Sequence, residues 1–246
     1  MRLEGKTAIV TGGASGFGAG IVKKFVAEGA RVMIVDINGD AASAMAAELG
    51  QFAQETDVSS SQSVAAMFAA ATAAFGTIDI LVNNAGVTHR PMPMEEVSEA
   101  DFDRVLAVNV KSVYLTARYL VPHFKAKGRG IILNVASTAA VSPRPKLSWY
   151  SASKGWMATA TKAMAIELAP LGIRVNAINP VAGETPLLKT FMGEDTPEMR
   201  AKFLATIPLG RFSTPEDIGN AACFLCSDEA SMITGVALEV DGGRVI

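Results

Sequence analysis

Short apolar runs rich in Val and Ile alternate along this chain with longer segments whose apolar residues recur at helical spacing. The strand-like runs are Thr7–Thr11, Arg31–Asp36, Phe52–Asp57, Ile78–Asn83, Gly130–Ser137, Ile173–Asn179 and Val236–Val240. Most lack the two-residue alternation of a half-exposed strand, which points to parallel strands covered on both faces. Helical patterns lie between them, at Gly18–Glu28, Asp40–Leu49, Ser61–Phe75, Glu99–Lys127, Trp149–Leu168 and Pro215–Ser227. The repeated order predicts a single α/β domain over 1–246, built on a doubly wound parallel sheet of about seven strands. Right-handed crossovers would place helices on both faces.

The stretch from Val181 to Pro208 departs from this rhythm. It carries Gly183, Pro186, Gly193, Pro197 and Pro208 among the apolar Leu187, Leu188, Phe191 and Met192. A connection this long usually serves function, and it follows the C-terminal end of a strand, where open α/β sheets bind ligands. The expectation is a lid at about 181–208 that closes over a substrate.

Composition narrows the function classes. With 22 basic and 24 acidic residues and a net charge of −2, nothing asks for nucleic acid or an anionic membrane. The longest apolar-looking run, Val64 to Phe75, is too short to span a bilayer. No apolar leader precedes the first strand, so a cytoplasmic protein is expected. Cys223 and Cys226 form a C-x-x-C without a second cysteine pair or a nearby histidine. They read as small core hydrophobes, and no metal site is expected.

The loop Thr11-Gly-Gly-Ala-Ser-Gly-Phe-Gly18 joins the first strand to the first helix. Gly12, Gly16 and Gly18 permit tight turning and close approach of backbone N–H groups to a phosphate, with Ser15 and Phe17 in the same cradle. The next strand ends in Asp36. A carboxylate there accepts from both ribose hydroxyls of an adenosine and repels a 2′-phosphate, which favours NAD over NADP.

Tyr150 and Lys154 are four residues apart on a helical segment and so share one face. An ammonium beneath a phenol lowers its pKa toward neutrality, and such a phenol can exchange a proton with an alcohol or carbonyl oxygen. Ser137, thirteen residues upstream of the tyrosine, could hold the same oxygen by a hydrogen bond.

Taken in order, these pieces give a chain that resembles the short-chain dehydrogenase/reductase family over essentially its whole length. The resemblance rests on Thr11 to Gly18, Asp57-Val58, Asn83-Asn84-Ala85-Gly86, Asn109 in Val108-Asn-Val-Lys, Ser137, Tyr150 with Lys154, Thr234-Gly, and Val240-Asp-Gly-Gly. It implies a Rossmann-type fold and a catalytic set of Asn109, Ser137, Tyr150 and Lys154. In that set Tyr150 moves the proton, Lys154 tunes it and bonds the nicotinamide ribose, and Asn109 anchors a relay water. It also implies NAD contacts at Asp57, Val58, Asn84, Ala85, Gly86, Pro180, Val181 and Thr185. There is one departure: the family's P-G-x-x-x-T reads Pro180-Val-Ala-Gly-Glu-Thr185, with Val181 for glycine and Gly183 two positions later.

The expected activity is hydride transfer between NAD(H) and a secondary alcohol or ketone: a small alcohol, sugar or hydroxy acid. Reduction of a 3-oxoacyl or other carbonyl substrate is the second reading, and a non-catalytic dinucleotide sensor a third. Candidate substrate contacts are His89, Arg144, Trp149, Leu187, Leu188, Phe191 and Met192, a mainly apolar set. His89 reads equally well as a partly exposed loop residue. Arg144 and Lys146 could meet an acidic substrate, although such side chains are ordinarily solvated. The helices 99–127 and 149–168 carry more apolar surface than one sheet face needs. The resemblance implies that they pair in a homotetramer.

Overall fold

The computed structural model describes all 246 residues. Its strands are β1 (Thr7–Thr11), β2 (Arg31–Asp36), β3 (Phe52–Glu55), β4 (Ile80–Asn83), β5 (Gly130–Val135), β6 (Ile173–Pro180) and β7 (Ala237–Val240). They form one sheet in the order β3-β2-β1-β4-β5-β6-β7, and every pair is parallel. The central β1, β4 and β5 are buried at every position, which is why their sequences are mainly apolar and lack two-residue alternation. The direction of winding reverses between β1 and β4, so a crevice opens at the C-terminal ends of those strands.

The helices are α1 (Gly16–Ala27), α2 (Gly39–Leu49), α3 (Ser61–Phe75), α4 (Glu99–Leu106), α5 (Ser112–Lys127), α6 (Ser148–Leu168), α7 (Leu187–Met192), α8 (Pro197–Leu204) and α9 (Pro215–Cys226). α1, α2 and α9 cover one face through Ile21, Phe25, Met45, Ile218 and Cys226. α3, α5 and α6 cover the other through Met67, Leu120, Phe124 and Leu168. Side-chain oxygens start several of them: Asn38 for α2, Ser60 for α3, and Thr214 with Asp217 in a reciprocal cap for α9. Gly20 lets α1 lie directly against α9, because a Cβ there would overlap the Pro215 carbonyl. Cys223 and Cys226 lie in this core, and burial pushes the Cys226 thiol up to about 12.

Two regions differ from the sequence expectation. The helical run 99–127 is interrupted at Ala107–Lys111 by a turn of the wider π type. Such turns insert one extra residue and cluster at functional sites. The segment after β6 is not irregular: α7 and α8 form in it, with α8 started by Thr196 and Pro197. Val181, Leu188, Met192, Phe203, Ile207 and Phe212 give it an apolar cluster of its own.

The altered sequence after Pro180 has a packing cause. A Cβ at Gly183 would overlap the outer edge of the Phe17 ring and lie 2.9 Å from the Ser213 carbonyl oxygen. Gly183 also pairs with Ser213 as an isolated parallel bridge, so its backbone has little room to retreat. The bulky Phe17 in the glycine loop is therefore matched by a missing side chain at 183. Gly183→Ala is expected to cost about 1–3 kcal/mol by overpacking. In the double variant Phe17→Ala/Gly183→Ala much of that cost should return as a favourable coupling. Denaturant unfolding of the four proteins measures it, and strict additivity would disprove the interlock.

Candidate active site

The crevice is built at the ends of β1 and β4. Thr11 is buried, and its hydroxyl donates to the Val82 carbonyl while accepting from the backbone of Asn84 (3.0 Å) and Ala85 (3.1 Å). The Asn84 amide donates back to the carbonyls of Thr11 and Gly12, both at 2.9 Å. These bonds extend the pairing of β1 and β4 beyond Val10 and Val82 and tie the loops that leave the two strands. Gly12 and Gly16 have φ of +60° and +52°, the left-handed region that favours glycine. Asp36 accepts from the backbone N–H of Ala14 and of Asn38, each at 3.1 Å, which fixes its carboxylate at the rim.

A cleft of about 450 Å³ runs from Asp36 across the glycine loop to Tyr150. The predicted cofactor residues Gly12, Ser15, Gly16, Phe17, Asp36, Asp57, Val58, Asn84, Ala85, Gly86, Pro180, Val181 and Thr185 all line it. Gly18 does not. A Cβ there would overlap the Gly12 carbonyl oxygen and crowd Asn84, so this glycine serves packing beneath the loop. The cleft's length, its glycine cradle and the acid at one end fit a dinucleotide.

At the other end, Ser137, Tyr150 and Lys154 share the wall. Ser137 lies just beyond β5 and accepts from the Ala139 N–H at 3.1 Å, which orients its hydroxyl. Tyr150 is buried; that burial raises its pKa, while Ser137 acts in the opposite direction. Lys154 is equally buried and donates to the Val135 carbonyl at 2.9 Å. Desolvation of its ammonium pushes it down to about 8. Burial thus moves the two groups in opposite directions, the phenol up and the ammonium down, which corrects the expectation that Lys154 holds the phenol below its ordinary value in the free protein.

Asn109 stands behind this pair, in the π turn. Its amide oxygen accepts from the Val87 N–H at 2.9 Å, and its nitrogen donates to the Val87 carbonyl (2.9 Å) and to Ser153 Oγ (3.0 Å). Both amide hydrogens are consumed, so the side chain acts as a clasp and has no donor left for a relay water. Ser153 in turn donates to the Tyr150 carbonyl at 2.7 Å. A Cβ on Gly86 would lie 3.4 Å from Lys154 Nζ and 3.5 Å from Asn109 Oδ1, which sets all three side by side.

The predicted substrate residues divide. Leu187, Leu188 and Phe191 line the cleft, and the Phe191 ring meets Tyr150 edge-on with centroids 5.6 Å apart. Met192 instead turns into the α7–α8 cluster. Trp149 points away, its indole donating to the Met94 carbonyl at 3.1 Å and its ring edge-on to Phe102. His89 is buried rather than partly exposed, with Nδ1 2.8 Å from the Arg90 carbonyl and Nε2 without a partner. Arg144 lies over the Phe203 ring at 3.7 Å, outside the cleft wall.

Sequence reasoning missed Thr11 as the tie between strands, Ser153 as the link from Asn109 to the Tyr150 turn, and the role of Gly183 as the space that Phe17 fills. Ser153 was within reach, since it lies three residues after Tyr150 and thus on the adjoining face. The pairing of Phe17 with Gly183 leaves no local signal.

A family model described as enoyl-(acyl carrier protein) reductase matches residues 12–244. The chain is 50% identical to 4-formylbenzenesulfonate dehydrogenase of Comamonas testosteroni, with all of both chains covered. It is 41% identical to D-threitol dehydrogenase of Mycolicibacterium smegmatis, over 100% of this chain and 95% of that one. A crystal structure of 3-ketoacyl-(acyl-carrier-protein) reductase from Brucella melitensis complexed with NADH superposes with a TM-score of 0.95. That chain is 54% identical, with coverage of 99% of this chain and 100% of the other. The chain belongs to the short-chain dehydrogenase/reductase family and is an NAD-dependent oxidoreductase of the dehydrogenase and carbonyl-reductase type.

Proposed function

We propose that the protein oxidises a secondary alcohol, or an equivalent carbon bearing hydroxyl, with NAD. The reading is carried by the meeting of Tyr150 and Lys154, both buried, with Ser137 at one end of the cleft. The second reading, reduction of a 3-oxoacyl group with NADH, draws support from the Brucella melitensis relative. Assay of both directions with secondary alcohols and 3-oxoacyl thioesters separates them.

Asp36 would hold the adenosine ribose, the Gly12–Phe17 loop the pyrophosphate, and Lys154 with Thr185 the nicotinamide end. When bound, the nicotinamide supplies the acceptor or donor of hydride. Ser137 orients the substrate oxygen by its hydroxyl. Tyr150 takes the alcohol proton in oxidation and returns it in reduction. Lys154 stabilises the phenolate by its charge, and the clasp of Asn109 on Val87 and Ser153 keeps the Tyr150 turn in place. The segment 181–208 acts as a lid, with Leu187, Leu188 and Phe191 excluding water.

The protomer is read as part of a homotetramer. Tyr114 on α5 is 53% exposed, and Trp156 and Ile166 on α6 are 40% and 80% exposed, a cost that pairing of these helices would remove. No helix is long and apolar enough to cross a membrane. Two buried unpaired thiols fit a reducing, cytoplasmic setting.

Tyr150→Phe is expected to lower kcat by about 10²–10⁴-fold with NADH affinity held within about a factor of two. Fluorescence titration beside turnover checks this, and substantial residual turnover would rule out Tyr150 as the proton carrier. Asp36→Asn retains an acceptor for the Ala14 N–H but loses the charge; the NAD-to-NADP preference in kcat/KM should fall by about ten-fold or more. An unchanged preference would remove Asp36 from cofactor selection. Oxidation needs the deprotonated phenol, so its rate should rise with pH through the apparent pKa of the Tyr150–Lys154 pair. Lys154→Met removes the stabilising cation and should move that midpoint upward by about one unit or more. A pH–rate profile that moves downward would contradict this role.

A further inference from the structure

All but three of the chain's arginine side chains have an acceptor. Arg2, Arg104, Arg129, Arg200 and Arg211 face carboxylates. Arg174 and Arg31 donate to carbonyls, and Arg118 donates to a tyrosine hydroxyl. Of the remaining three, Arg90 is exposed, while Arg144 and Arg244 are half-buried. Arg144 has neither a carboxylate nor a hydrogen-bond acceptor, and the charge that acts on it, Arg244, repels it.

Arg144 is held there at a cost. Pro143 and Pro145 flank it and restrict the backbone on both sides. Lys146 is the one residue other than glycine with positive φ, at 66°. Its carbonyl is fixed by the Met92 N–H at 3.1 Å. Strain of this kind persists where the surroundings over-determine it, and it collects at ligand sites. The planar face of the guanidinium stacks over Phe203 at 3.7 Å and over Phe191 at 5.4 Å. Stacking satisfies the face of the group but leaves its N–H edge, the part that binds anions in a fork, without a partner. Phe191 also meets Tyr150, so one ring stands between the proton carrier and the unpartnered cation.

We propose that Arg144 is the recognition residue for an anionic group, a carboxylate or sulfonate, at the far end of the substrate. This inference rests on the assignment of Tyr150 as the reacting end. The substrate then has an oxygen-bearing carbon at Tyr150, a flat apolar body along Phe191, Leu187 and Leu188, and a negative terminus on Arg144. Arg244 raises the positive potential around that terminus, and the anion relieves the repulsion between the two cations. Because Phe203 and Phe191 belong to α8 and the end of α7, the same anion would hold the lid down through the stacked guanidinium.

The test compares 4-acetylbenzoate and 4-acetylbenzenesulfonate with the neutral 4-acetylbenzamide, by calorimetric titration of the NADH-saturated enzyme. The same panel is assayed for reduction. The wild type should bind both anions at least about ten-fold tighter than the amide, as expected for a charge-assisted fork. Arg144→Met keeps an apolar side chain over Phe203 and should bring all three affinities to within about two-fold of one another. Arg144→Lys should keep part of the preference. Equal affinity for anion and amide in the wild type, no binding of any probe at millimolar concentration, or an unchanged preference in Arg144→Met overturns the proposal. A uniform loss across the panel in Arg144→Met also overturns it, because that is the signature of a lid strap without anion recognition. If the anion preference holds in binding but no alcohol or ketone turns over, the hydride-transfer reading fails and the anion site stands.

Discussion

A lysine ammonium buried without a carboxylate is the constraint on which the rest of this site depends. Lys154 has a single protein acceptor, the Val135 carbonyl at the end of β5. An isolated cation in such surroundings is costly, and the usual outcome is a lowered proton affinity. The fold keeps the group in place by surrounding it with parts that cannot move. Val135 is the last residue of a central strand, Gly86 packs against Nζ at contact distance, and Asn109 clamps the loop at Val87. Tyr150 then shares a face with a cation that is poised, not neutralised.

The same end of the sheet is braced by a line of buried polar side chains. Thr116 on α5 donates to Asn83 (2.9 Å), Asn83 to Asn134 (2.9 Å), and Asn134 to Thr161 on α6 (2.9 Å). The line crosses β4 and β5 and ties the helix carrying Tyr150 and Lys154 to the strands beneath it. Buried polar chains of this kind rigidify when fully satisfied, and each of these bonds has a defined partner. Alignment of the phenol with the cleft is thus set by the sheet and not by the surface loops.

Much of this was legible in the sequence for a plain reason. Parallel strands buried on both faces must be largely apolar, and the inner strands were readable as Val- and Ile-rich runs, whereas the edge strand β3 (Phe-Ala-Gln-Glu) is partly exposed and carries neither residue. The glycine loop, Asp36 and the Tyr150–Lys154 pair carry local spacing that reflects their geometry. What stayed hidden depends on distant partners. The π turn at Asn109 lies inside a pattern that continues as a helix on both sides. Gly18 looks like its neighbours in the loop, yet its role follows from the Gly12 carbonyl folding back beneath it. α7 and α8 are too short for helical periodicity to stand out among prolines and glycines. Arg144 reads as a solvated cation until Phe191 and Phe203 arrive from the far side of β6.

The fit of Phe17 into the space at Gly183 bears on how such enzymes exchange parts. The glycine loop and the segment after β6 look like separate modules, one for the cofactor and one for the substrate. Here they share a steric boundary, because the ring of the first occupies the side-chain volume of the second. Transplanting a lid from a relative with a side chain at 183 would press on the cofactor loop, and it would need residue 17 to travel with it. Substrate range and nucleotide binding in this chain are inherited as a pair.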